Sequence, residues 1–133
     1  MKKLYSTTMV NTGGRSGKVA APDGSLSLNI APPGGNADTT NPEQLFAAGY
    51  SSCFNSALEL VMQREKVQGD STVTAIVSLY EREAFDFIIG VELQGHIEGV
   101  SKEQTQELLE KAHMVCPYSK ATRGNIEVTL KAV

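Results

Sequence analysis

The chain has no block of lysine and arginine, no long apolar run, no internal repeat and no low-complexity stretch. It carries only two cysteines in 133 residues. Twelve Lys and Arg against fifteen Asp and Glu leave a net charge of −3. Without a clustered basic surface, neither nucleic acid nor an anionic membrane is an expected partner. The longest uncharged stretch, residues 44–58, holds Gly49, Ser51, Ser52, Asn55 and Ser56. It is shorter and more polar than the ~20 apolar residues that span a bilayer. Met1-Lys2-Lys3-Leu4-Tyr5-Ser6 is charged but has no apolar segment behind it, which does not read as a secretory signal, so a cytoplasmic location is expected. That compartment keeps thiols reduced, and two distant cysteines there do not suggest a structural staple.

What is present describes an ordinary globular chain, 41% apolar and 20% charged, of a length that suits a single domain over residues 1–133. Residues 4–10 are rich in strand formers and lead into the turn-prone Asn11-Thr12-Gly13-Gly14-Arg15-Ser16-Gly17. Residues 18–21 and 25–30 flank Pro22-Asp23-Gly24 and predict a hairpin. Residues 31–40 carry Pro32-Pro33-Gly34-Gly35-Asn36 and read as a loop. Asn41-Pro42-Glu43-Gln44 then opens a helix, with an N-cap side chain, proline at the first helical position and an acid in the first turn.

From Leu45 to Val61 apolar residues recur at helical spacing, and Glu59 is the only charge between Gln44 and Gln63. Such a helix has almost no wet face and should be buried. Residues 72–80 and 85–97 predict a second hairpin, linked through Arg82-Glu83-Ala84. Ser101-Lys102-Glu103-Gln104 is a capping box, and the helix it opens should stop before Pro117. Residues 125–130 read as a last strand. The fold class is therefore α+β, antiparallel sheet packed on a long buried helix. One small sheet covers one side of such a helix, so a homodimer enclosing two of them is expected.

The two cysteines read differently. Cys53, on the apolar helix, suits an inert core residue. Cys116 begins a polar segment expected to be partly exposed, where an unused thiol is a liability. Cys53, Cys116, His96 and His113 together offer two sulfurs and two nitrogens. Only His113 and Cys116 are closely spaced, however, and structural zinc sites show paired close ligands, so metal is a weak reading. His113 also suits a cation near a helix C-terminus, and His96 a strand surface.

Two longer motifs narrow these alternatives. Asn41-Pro42-Glu43-Gln44-Leu45-Phe46-Ala47-Ala48-Gly49-Tyr50-Ser51-Ser52-Cys53-Phe54 resembles the first cysteine motif of the organic hydroperoxide resistance proteins, within the OsmC-like superfamily. Cys116-Pro117-Tyr118-Ser119-Lys120-Ala121-Thr122-Arg123-Gly124-Asn125 resembles their second. Thr12-Gly13-Gly14-Arg15-Ser16-Gly17 and Pro32-Pro33-Gly34-Gly35 match the N-terminal pattern, so the resemblance runs the whole chain.

It implies an OsmC-like fold, an intertwined homodimer, and a thiol peroxidase acting on organic hydroperoxides in the response to oxidative stress. Cys53 would be the peroxidatic thiol and Cys116 the resolving one, joined in a transient disulfide. Arg15 and Glu43 would organise the site, with Tyr118 and Arg123 in supporting places. The resemblance implies no bound cofactor or metal. A dithiol reductant carrying a dihydrolipoyl group, on a lipoylated protein or another dithiol donor, would serve as co-substrate. A non-catalytic thiol redox sensor or ligand-binding module would use the same cysteines without turnover.

An unperturbed cysteine has a pKa near ~8.5 and reacts as the thiolate, which a nearby guanidinium favours. Glu43 and Cys53 are ten residues apart, about 15 Å of rise on one straight helix. For both to serve Arg15 the helix should bend, and Gly49 is the expected place, leaving Cys53 near the start of a second helical piece. Leu45, Phe46, Phe54 and Tyr50 are expected to line a pocket for alkyl or fatty-acyl groups.

Overall fold

Turn chemistry dominates the first of the two units into which the chain divides, Met1–Leu45, and apolar periodicity the second, Phe46–Val133. A computed structural model describes residues 1–133. In the first unit, strands β1 (Val10–Thr12), β2 (Lys18–Ala20), β3 (Ser27–Ile30) and β4 (Thr39–Thr40) form one sheet in that order. The β1–β2 and β2–β3 pairs are antiparallel, and β4 lies parallel to β3. The hairpin expected around Pro22-Asp23-Gly24 is present. The Gly24 N–H donates to the Ala21 carbonyl at 3.0 Å, and the Asp23 carboxylate accepts from both the N–H and the hydroxyl of Ser25.

The strand expected over residues 4–10 is not found. Residues 1–9 are exposed and join no sheet, and β1 begins only at Val10. Strand propensity describes side chains that suit a pleated surface, but it supplies no ladder partner, and a strand exists only where its N–H and C=O groups find one.

Helix α1 (Pro42–Arg64) begins as the sequence predicts, with Asn41 Oδ1 accepting the Gln44 N–H at 2.8 Å. It then runs as one continuous helix, so the two helical pieces expected around Gly49 are not found, and Cys53 sits mid-helix rather than near a positive helix end. Gly49 has another use. A Cβ there would fall 2.7 Å from the Tyr118 hydroxyl and 3.2 Å from its ring, so the missing side chain lets that ring lie against the helix. Tyr50, Phe54, Ala57, Leu58, Val61 and Met62 are buried, while Ala48, Ser52, Ser56, Glu59, Leu60 and Gln63 are exposed. In a single chain the helix therefore keeps an open stripe, where uniform burial was expected. Serines at helical spacing make that stripe tolerant of water.

In the second unit, β5 (Ser71–Glu83), β6 (Asp86–Ile97) and β7 (Val128–Ala132) form a three-stranded sheet. The β5–β6 hairpin is longer than the sequence suggests and turns through Ala84 and Phe85, the latter at φ 65°. Strand β7 starts three residues later than expected and pairs parallel to β6, so the sheet is mixed rather than antiparallel. The reason is the connection. Two helices separate β6 from β7, and a crossover of that length allows parallel pairing where a tight turn would not. Gln106 completes the β7 ladder, accepting from the Ala132 N–H at 2.8 Å and donating to the Leu130 carbonyl at 3.1 Å.

Helix α2 (Lys102–Val115) is capped by Ser101, whose hydroxyl accepts the Gln104 N–H at 3.2 Å. A third helix, α3 (Pro117–Thr122), forms within the polar segment that follows. Pro117 both stops α2 and starts α3, since its ring cannot continue one helix but suits the first position of the next. The core gathers Val91, Leu93 and Ile97 of β6, Leu108, Leu109 and Ala112 of α2, and the buried face of α1. Leu58 is fully buried in it. Leu58→Ala should lower the unfolding free energy by about 2–5 kcal/mol, the range for removing a core leucine. Urea denaturation measures it.

Candidate active site

The loop bearing Arg15 owes its shape to backbone that only glycine adopts easily. Gly13 and Gly14 have φ of 84° and 61°, and a single 3-10 turn follows over Gly14–Ser16. Asn11 closes the loop. Its Oδ1 accepts the Gly14 N–H at 3.0 Å and its Nδ2 donates to the Gly14 and Lys18 carbonyls. Arg15 meets Glu43, in the first turn of α1, through two parallel bonds of 2.9 and 2.6 Å. This fork-to-fork geometry fixes the guanidinium plane as well as its position. Arg15 remains 55% exposed while Glu43 is 15% exposed. The bond from Arg15 holds the Glu43 carboxyl below the usual carboxylate range, and the same bond raises Arg15.

The second unit brings the two cysteines together. Cys116 Sγ lies 3.6 Å from Cys53 Sγ, with its thiol placed to donate. Their exposure is the reverse of the sequence expectation: Cys116 is fully buried and Cys53 half-buried. The turn from α2 into α3 tucks Cys116 inside, and the open stripe of α1 lies beside Cys53 at Ser52. Burial pushes the Cys53 thiol up from its ordinary value. A hydrogen bond from the main-chain N–H of Tyr118 opposes that rise, and the Cys116 neighbour adds to it. Within this unit no cation offsets the burial.

Against the same segment lies an apolar groove of about 550 Å³, with Phe46, Ile89, Pro117, Tyr118, Ala121 and Ile126 among its walls. Of the expected pocket residues only Phe46 lines it. Tyr50 and Phe54 are fully buried in the core, because the face of α1 that carries them packs inward. Behind the groove, Phe46, Tyr50 and Tyr118 form an aromatic cluster in which Tyr50 and Tyr118 meet edge-on at 5.6 Å. No three His, Cys, Asp or Glu side chains gather to hold a metal ion. His96 bonds the Val133 main-chain oxygen and Glu98 instead, and His113 bonds Ser119. Burial, helped by Arg123, pushes His113 below its usual value, the opposite direction to that of the helix-end cation expected from the sequence.

A family model described as OsmC-like protein matches residues 34–131. The chain belongs to the OsmC-like family. It is 51% identical to the organic hydroperoxide resistance protein OhrA of Bacillus subtilis over 96% of this chain and 95% of that one. The crystal structure of the organic hydroperoxide resistance protein OhrB of Bacillus subtilis superposes with a TM-score of 0.90 at 42% identity, covering 98% of this chain and 100% of that one. An organic hydroperoxide resistance protein from Elizabethkingia anophelis, crystallised with thiocyanate bound, gives 0.89 at 50% identity over 99% and 98% of the two chains. These relatives set the OsmC-like chain among the organic hydroperoxide resistance proteins. No helix in it is long and apolar enough to cross a membrane.

Sequence reading missed four contributors. Asn11 was legible as an Asx-type turn residue before Gly13-Gly14. The main-chain donor of Tyr118, and the hydroxyls of Ser119 and Thr122, become visible only once Pro117 is read as a helix start. The ion pair makes a pH prediction. A carboxyl whose folded pKa is depressed contributes stability above its unfolded value, and loses that contribution as pH falls through the folded one. Carbon-detected titration should therefore place Glu43 below the ordinary ~4.3 for glutamate, and Arg15→Gln should return it upward.

Proposed function

We propose that the protein reduces organic hydroperoxides to alcohols with Cys53 as the attacking thiol and Cys116 as its resolving partner. The supporting observation is the pairing of a half-buried sulfur with a fully buried one 3.6 Å away. A peroxide reaches the first before the second, and the second is already at hand. The Cys53 thiolate attacks the terminal peroxide oxygen, the O–O bond breaks, and the departing alkoxide takes a proton to become the alcohol. Cys53 is left as a sulfenic acid. Cys116 sulfur then attacks Cys53 sulfur, the S–O bond breaks, and the hydroxide leaves as water with the Cys116 proton. A dithiol donor of the lipoyl type returns two electrons and two protons to the resulting disulfide.

Arg15 and Glu43 enter this reading by motif resemblance. Burial raises Cys53, so the reaction needs a cation to favour the thiolate and the developing alkoxide. A guanidinium held by two bonds is suited to that task. The apolar groove beside Pro117 and Tyr118 suits an alkyl chain, which favours organic hydroperoxides over hydrogen peroxide as substrates. The same reading includes a homodimer. Leu4, Tyr5 and Met9 of the first unit are exposed, and so are Leu79, Phe85 and Phe87 of the second. Apolar surface of this kind calls for cover.

Turnover decides between enzyme and sensor. With cumene hydroperoxide and dihydrolipoamide, the wild type should turn over many times. Cys53→Ser should abolish turnover, and Cys116→Ser should consume one equivalent and stall. Arg15→Ala should slow Cys53 oxidation by about 10²–10³-fold, the usual cost of losing a preorganised charge donor. Full turnover by Cys53→Ser, or equal rates with hydrogen peroxide, would remove the corresponding part of the proposal. Light scattering at micromolar concentration should return the mass of a dimer, and a monomer would remove that part.

A further inference from the structure

Four polar side chains form a closed network behind the sulfur pair. The Tyr50 hydroxyl lies 2.8 Å from Ser119 Oγ and 3.1 Å from Thr122 Oγ1, and His113 Nδ1 lies 2.7 Å from Ser119 Oγ. The Thr122 hydroxyl also reaches the Ser119 carbonyl at 3.3 Å, and Arg123 donates to the His113 carbonyl at 3.0 Å. Tyr50 and Ser119 are fully buried and Thr122 is 6% exposed. None of these groups carries out a step of the proposed reaction.

Their positions relative to the sulfurs give them a role. Tyr50 precedes Cys53 by three residues on α1, and Ser119 follows Cys116 by three residues through the start of α3. Residues three apart on a helix share a face about one turn apart. The Tyr50–Ser119 bond therefore ties the two cysteine-bearing segments together one turn from each sulfur. Phenylalanine and alanine at these positions would fill the same space, since dispersion packing is non-directional and allows the segments to slide. Buried hydroxyls allow no such freedom, because each must keep its partners in line or lose a bond in a dry interior. Closing the disulfide takes the sulfurs from 3.6 Å to about 2.05 Å, and small errors in such an approach are costly.

We propose that Tyr50, Ser119, Thr122 and His113 are positioning residues, a hydrogen-bonded latch that holds Cys116 within reach of Cys53 so that disulfide closure outruns further oxidation. The latch rests on the peroxidase reading for its oxidant, but its effect on the thiol pair does not depend on which oxidant is used. The His113 ring suits it, because its Nδ1 can accept from Ser119 or donate to it according to the tautomer.

Tyr50→Phe removes one oxygen and keeps the ring. Equilibrated against a dithiothreitol redox buffer, its Cys53–Cys116 disulfide should be at least tenfold easier to reduce than that of the wild type. With cumene hydroperoxide in excess and dimedone present, the ratio of closure rate to first oxidation rate should also fall at least tenfold, and mass spectrometry should find more trapped and overoxidised Cys53. Thr122→Val should act in the same direction, and Thr122→Ser, which keeps the hydroxyl, should restore closure relative to it. This second pair reads the same quantities if Tyr50→Phe does not fold. Folded variants with wild-type redox equilibrium and wild-type trapping would overturn the latch. A wild type that closes its disulfide with diamide but ignores hydroperoxide would overturn the peroxidase reading and leave the redox-buffer comparison intact as the test of the latch.

Discussion

The close docking of the Cys116–Thr122 stretch onto α1 is the constraint on which the second unit's chemistry depends, and it is made by residues of opposite character. Gly49 contributes by having no side chain, which lets the Tyr118 ring lie on the helix. Tyr50 contributes a buried hydroxyl, bonded to Ser119 and Thr122. Cys53 contributes the sulfur that receives the Tyr118 N–H and faces Cys116. Moving α3 outward would separate the sulfurs, open the hydroxyl network and remove the one backbone donor that favours a Cys53 thiolate. The same short helix gives Pro117, Tyr118, Ala121 and Thr122 to the apolar groove. A ligand pressing on the groove therefore presses on the segment that positions the thiols. In the proposed reaction, binding and redox chemistry would share a wall.

Much of this was legible beforehand, and the failures have physical causes. The cap at Asn41, the hairpin at Pro22-Asp23-Gly24, the N-cap at Ser101 and the stop before Pro117 all depend on local chemistry, and all are where the sequence puts them. The errors lie where tertiary partners decide. Residues 4–9 have strand-forming side chains but no ladder partner in this chain. Strand β7 pairs parallel because of the long connection before it, which no property of residues 125–130 reveals. Gly49 was read for backbone freedom when its use is steric. Burial of the two cysteines was inverted because exposure was inferred from polar neighbours of Cys116, and α3 carries that sulfur inward together with Ser119 and Thr122.

The site divides the same way. The motif resemblance named Arg15, Glu43, Cys53 and Cys116, and the structure pairs the first two and the last two. Tyr118 was named in a supporting place, but its main-chain donor and the hydroxyls of Ser119 and Thr122 were not. A serine or threonine in a polar stretch carries no visible sign that it will be buried. Only its placement on a helix, three residues from another hydroxyl, gives it away.

An arginine paired with a glutamate is neutral at long range, and that sets a demand on the proposed reaction. At an effective dielectric near 20, a thiolate about 4 Å from a guanidinium gains about 4 kcal/mol, and a carboxylate about 7 Å away returns about 2.4 kcal/mol of that. The net is about 1.6 kcal/mol, or somewhat over one pKa unit. Equal distances would leave nothing. The pair can activate a buried thiol only by presenting its cationic edge while the carboxylate stays behind it. A side-on or monodentate contact would let the guanidinium swing and average that difference away. The bidentate geometry of Arg15 and Glu43 serves orientation more than attraction. An exposed arginine alone would carry more charge, but it would hold that charge in no fixed direction.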